Sequence, residues 1–89
     1  MTRRELTITN RLGLHARAAA RFVHTASRFR ARVTAGCSGR VMDGKSILGI
    51  LLLAASQGTA IEVTTDGEDE EAAMEALAAL VEGGFGEGT

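Results

Sequence analysis

His15 and Arg17 stand two residues apart where an alternating stretch, Leu6-Thr-Ile8-Thr, passes through Asn10 to Gly13 into an alanine-rich run. An imidazole can serve as a nucleophile as well as a base. The first turn of a helix leaves four backbone N–H groups without partners and carries the positive end of the helix dipole, so an anion just outside it is favoured. A phosphoryl group on the His15 ring would meet those amides and the Arg17 guanidinium through charge-assisted hydrogen bonds. These residues predict a phosphohistidine. A histidine in that place can also be a helix cap without chemistry, and the junction alone does not separate the two.

Other reactive side chains point elsewhere. His24 falls in mid-helix on a polar side and reads as solvated, and Cys37 alternates in phase with Ala35 and Val33 as a small core residue. No His, Cys and carboxylate cluster has metal-ligand spacing, so neither a metal nor another cofactor is expected. Gly39-Arg-Val-Met-Asp-Gly44-Lys45-Ser46 satisfies the P-loop formula. That loop needs a strand before it and a long helix after it in a parallel sheet, whereas here its middle residues themselves read as a strand. Gly36-Cys-Ser-Gly39 imitates the GXXG clamp of KH domains, but it joins two strands rather than two helices.

The chain has 89 residues, which is room for one small domain over 1–89 and argues against an enzyme with a deep cleft. Three Phe supply all the aromatic bulk, so the core must be built from Leu, Ile, Val and Ala. A lone cysteine excludes an internal disulfide. With no secretory signal, and with the longest apolar run, Ile47 to Ala55, far short of the ~20 residues that span a bilayer, a cytoplasmic protein without membrane insertion is expected. Charge is divided: all ten Lys and Arg precede Ser46 against two acids, a balance of plus eight, and nine acids follow it. Such asymmetry suits an acidic protein partner. The near absence of stacking aromatics speaks against nucleic acid.

The elements that must position His15 follow from periodicity. Leu6 to Thr9 alternates as a half-buried strand, and Ala19, Phe22, Val23 and Ala26 recur at helical spacing from Ala16 to about Arg28. Ala31, Val33, Ala35 and Cys37 resume alternation, and Arg40 to Asp43 returns after a turn as the partner of a hairpin. Arg28, Arg30 and Arg32 line a solvated helix end and strand face. Ser46 is a good N-cap for a short helix from Ile47 to Leu53 that is apolar on nearly every side. Ile61 and Val63 mark a fourth strand, and Ala73, Leu77, Leu80 and Val81 the buried stripe of a last helix, whose first turn is acidic. Gly83-Gly84 stops that helix, and the glycine-rich end after Phe85 is expected to fray. The order βαββαβα implies an α+β open-faced sandwich, a four-stranded antiparallel sheet covered on one face by three helices.

Over essentially its whole length the chain resembles the HPr family, the histidine-containing phosphocarriers of the bacterial phosphotransferase system. The resemblance is carried by Gly13-Leu-His15-Ala-Arg17 and by Lys45-Ser46-Ile47-Leu48-Gly-Ile-Leu51, in order and on matching elements. It implies that His15 takes a phosphoryl group on Nδ1 from Enzyme I, which draws it from phosphoenolpyruvate, and passes it to an enzyme IIA domain of a sugar or nitrogen-related branch. Arg17 would stabilise the phosphate. It implies further that Ser46 matches the serine modified by an ATP-dependent kinase in many Gram-positive relatives. Ile47, Leu48 and Leu51, with Arg21 alongside, would dock the partners of a monomeric carrier rather than a turnover enzyme. The family's proline after the arginine is replaced by Ala18, which keeps the helix and adds a donor. The ending from Leu80 to Glu87 is similar to that of nitrogen-branch carriers.

Two other functions fit parts of the sequence. One is a regulatory interaction protein modified only on Ser46, without carrier activity. The other is a ligand-sensing module of ACT-like βαββαβ shape, against which the last helix and the His-Arg pair count.

Overall fold

A computed structural model of the chain describes residues 1–87. Four strands, β1 (Thr2–Thr7), β2 (Arg32–Cys37), β3 (Arg40–Asp43) and β4 (Ala60–Asp66), form one antiparallel sheet in the order β1-β4-β2-β3. Helices α1 (Ala16–Ser27), α2 (Ile47–Leu52) and α3 (Glu70–Glu82) complete the order βαββαβα. This is the open-faced sandwich expected from the alternation of strand and helix periods.

Register explains which face is covered. Leu6, Val33, Ala35, Ile61 and Val63 are buried and turn toward the helices, while their neighbours Glu5, Arg32, Glu62 and Asp66 are exposed on the opposite face. A shift by one residue would exchange the two sets. Helix α1 buries Ala18, Ala19, Phe22 and Ala26, and α3 buries Ala73, Met74, Leu77, Ala78 and Val81. Burial of the Phe22 ring, which is fully enclosed, contributes ~2–3 kcal/mol. Leu80 and Cys37 are only partly buried, packed at the margin of this core.

The uniformly apolar α2 divides its residues. Gly49 and Ile50 are buried, Leu51 is half-buried, and Ile47, Leu48 and Leu52 are exposed at 47%, 68% and 47%. Ser46 caps the helix as expected, its Oγ accepting from the Gly49 N–H at 3.1 Å. Asp69, by contrast, spends its carboxylate elsewhere. It accepts from the Arg30 and Ala31 N–H groups at 2.9 and 2.8 Å and ties the α1–β2 connection to the start of α3.

The end after Phe85, expected to fray, is tied down as far as Glu87, whose carboxylate bonds to Asn10 and His15. After Gly83 the chain makes a 3-10 turn, Gly84–Gly86, and Phe85 is 1% exposed within the core. Flanking glycines accept positive φ, and Phe85 itself adopts φ 56°, a left-handed conformation held by the burial of its ring. Gly88 and Thr89, also part of that expectation, lie outside the described residues.

Candidate functional site

The loop before α1 is pinned from both sides. The buried Asn10 donates from Nδ2 to the Gly13 carbonyl at 2.8 Å, and the Leu14 N–H donates to the Ala55 carbonyl at 2.9 Å. Gly13 has φ +66° and lies so close to the chain beyond α2 that a Cβ would fall 2.6 Å from the Ala55 oxygen. Only glycine fits this place without displacing backbone.

His15 is the N-cap residue of α1, with φ −75° and ψ 179°. Its carbonyl accepts from the Ala19 N–H at 2.8 Å, but its ring makes no capping bond. The N–H groups of Ala16, Arg17 and Ala18 donate to no acceptor among the described residues. The ring is 28% exposed and opens on a cleft of about 750 Å³. Arg11, Arg17 and Arg21 line the same cleft, which is therefore basic and lies at the positive end of a helix. Arg17 is exposed and lines the same cleft as the ring.

Two participants were not foreseen in the sequence. Arg11, read only as part of a loop, lines the cleft. Glu87, read as part of a frayed tail, bonds through Oε2 to His15 Nε2 and through Oε1 to Asn10 Nδ2 at 2.9 Å. The Asn10 hydrogen bond, followed by the bond and charge of His15 and the charge of Arg21, holds the Glu87 carboxyl below the usual carboxylate range against the opposing effect of burial. Arg21 also donates to the Phe85 carbonyl, which fastens the tail across the cleft. No local pattern signals these contacts, since Asn10 and His15 meet Glu87 across more than seventy residues.

Residues 40–46 make no phosphate cradle. Arg40–Asp43 is strand β3, the Lys45 ammonium donates to the Phe29 carbonyl at 2.7 Å, and the Ser46 hydroxyl is engaged as a cap. Ser46 is half-buried beside exposed Ile47 and Leu48. His24 is exposed on α1. Among the described residues no group of three His, Cys, Asp or Glu could hold a metal, and no helix is long and apolar enough to cross a membrane.

The family model described as "PTS HPr component phosphorylation site" matches residues 2–83. The Phosphocarrier protein HPr of Xylella fastidiosa is 55% identical over 89 residues, covering 100% of both chains. The Phosphocarrier protein NPr of Shewanella violacea is 40% identical, covering 94% of this chain and 92% of its own. The crystal structure of HPr-C-His from Thermoanaerobacter tengcongensis superposes with a TM-score of 0.94 at 42% identity, over 98% of each chain. Fold and likeness together define a phosphocarrier protein of the bacterial phosphotransferase system. The chain belongs to the HPr family.

Proposed function

We propose that His15 is the phosphoryl-carrying residue, loaded on Nδ1 by Enzyme I at the expense of phosphoenolpyruvate and discharged to an enzyme IIA domain. The observation that carries this reading is the arrangement at the mouth of α1. A half-buried imidazole without a capping bond opens on a cleft at a helix start with three unpartnered amides, and Arg17 lines the same cleft. The ring nitrogen attacks phosphorus in line with the leaving nitrogen of the donor. The amides and Arg17 then stabilise the charge on the transferred oxygens.

Ile47, Leu48 and Leu52 form the exposed apolar face that meets the partners, with Leu51 half-buried among them, and Arg21 in the His15 cleft adds positive charge for an acidic partner. Phosphorylation of Ser46 would put a dianion against that face and disfavour an acidic partner. We therefore assign Ser46 a regulatory role over exchange rather than a role in transfer. The cleft around His15 favours the carrier over a protein modified on Ser46 alone.

Incubation with phosphoenolpyruvate, magnesium and Enzyme I is expected to place one acid-labile phosphate on the chain. The label should chase to an enzyme IIA domain and be lost in His15→Ala. Absence of labelling, or labelling that survives in His15→Ala, would reject the reading.

A further inference from the structure

Nothing in the local sequence ties Glu87 to the helix start, yet its carboxylate closes on the nitrogen of His15 opposite the one assigned to carry phosphate. It is delivered there by three anchors: the buried Phe85 ring, the Arg21 bond to the Phe85 carbonyl, and the Asn10 amide on Oε1. An ionised carboxylate only accepts hydrogen bonds, so a neutral imidazole bonded to it carries its hydrogen on Nε2 and leaves the lone pair on Nδ1.

We propose that Glu87 is a positioning residue for phosphotransfer, fixing the His15 tautomer so that Nδ1 is the nucleophile and balancing the charge of the phosphorylated ring. This inference rests on His15 being the carrier. In the step, the Nδ1 lone pair bonds to phosphorus and the bond from phosphorus to the donor nitrogen breaks, its electron pair staying with the donor. Nε2 keeps its hydrogen. The ring, now substituted at both nitrogens, is cationic, and the Glu87 carboxylate faces that charge. Discharge reverses the step, so no proton has to move in either direction. The logic is that of a carboxylate orienting a histidine whose other nitrogen does the chemistry.

Asn10 makes the test sharp. Its Nδ2 donates both to the Gly13 carbonyl and to Glu87 Oε1, so that amide presents donors to position 87. In Glu87→Gln the glutamine oxygen must therefore turn to Asn10, leaving its NH2 against His15 Nε2, and this selects the opposite tautomer with the hydrogen on Nδ1. Glu87→Ala imposes neither tautomer. A mere anchoring role for the tail predicts the reverse ranking, with the isosteric glutamine milder than alanine.

Ring 15N NMR of the unphosphorylated chain at a pH where the imidazole is neutral reads the tautomer, with exposed His24 as internal reference. Phosphoramidate, whose P–N bond breaks with release of ammonia, serves as a small donor that requires no partner protein. The expected result is Nε2–H in the natural chain, a mixture in Glu87→Ala with transfer about tenfold slower, and Nδ1–H in Glu87→Gln with transfer about tenfold slower again. An unchanged tautomer, or a Glu87→Gln variant as fast as the natural chain or faster than Glu87→Ala, would overturn the assignment of Glu87. Failure of the natural chain to accept phosphate at all would instead overturn His15 as carrier.

Discussion

Replacing Gly13 by alanine tests whether the loop that presents His15 is held by backbone contact. Two costs arise. A side chain at φ +66° costs ~1–2 kcal/mol. The new Cβ would lie 2.6 Å from the Ala55 oxygen and 2.9 Å from Ser56 Cα, both backbone atoms that cannot swing aside. The loop must therefore lift, which breaks the Leu14 to Ala55 hydrogen bond at ~1 kcal/mol. The sum, about 2–3 kcal/mol, is a large share of the ~5–15 kcal/mol that holds a domain folded. Gly39→Ala is the control, because Gly39 has φ +83° but no atom within 4 Å of the added Cβ. It should show the conformational cost alone. Urea unfolding followed by circular dichroism gives both values. A Gly13→Ala chain no less stable than Gly39→Ala would refute the close approach to Ala55.

Further expectations follow from the same contacts. The bond to the N-terminal ammonium, then the Gly67 N–H and the Thr2 hydroxyl, lower the Glu70 carboxyl to about 2. Its contribution to stability is therefore complete above its ordinary value of 4.5 and lost as pH falls toward about 2; melting temperatures across that window should fall less steeply in Glu70→Gln, and equal slopes would contradict the pairing. Ala18→Pro places proline where the N–H has no partner, so transfer should change by less than about tenfold, as measured with phosphoramidate. Leu48→Glu on the exposed face of α2 should leave stability within ~0.5 kcal/mol and raise the KM for Enzyme I about tenfold. Its phosphoramidate rate should not change, and slowing with both donors would place Leu48 outside the docking face.

Much of this molecule could be read locally. Strand alternation from Val33 to Cys37 and the spacing of Ala19, Phe22 and Ala26 depend on near neighbours, and they placed β2 and α1 where they occur. The His15–Arg17 pair and the Ser46 cap are likewise short-range patterns. What escaped was set by distance along the chain. Phe85 sits beside a glycine-rich end whose composition argues for fraying beyond it, and only the space left in the assembled core places its ring. Glu87 inherits its place from Phe85, and Asp69 leaves its own helix to hold Arg30 and Ala31. The apolar surplus of α2 announced an uncovered face, while the exposure of each residue on it, Leu52 more open than the half-buried Leu51, depends on how the helix packs in the assembled fold.

The most direct measurement is the nitrogen to which phosphorus becomes attached. A chain with 15N-labelled imidazoles, charged by Enzyme I and phosphoenolpyruvate, is expected to show one phosphorus resonance coupled to Nδ1 of His15, with Nε2 of the same ring still bearing hydrogen. Coupling to Nε2, attachment to His24, or phosphate found only on Ser46 would contradict the account.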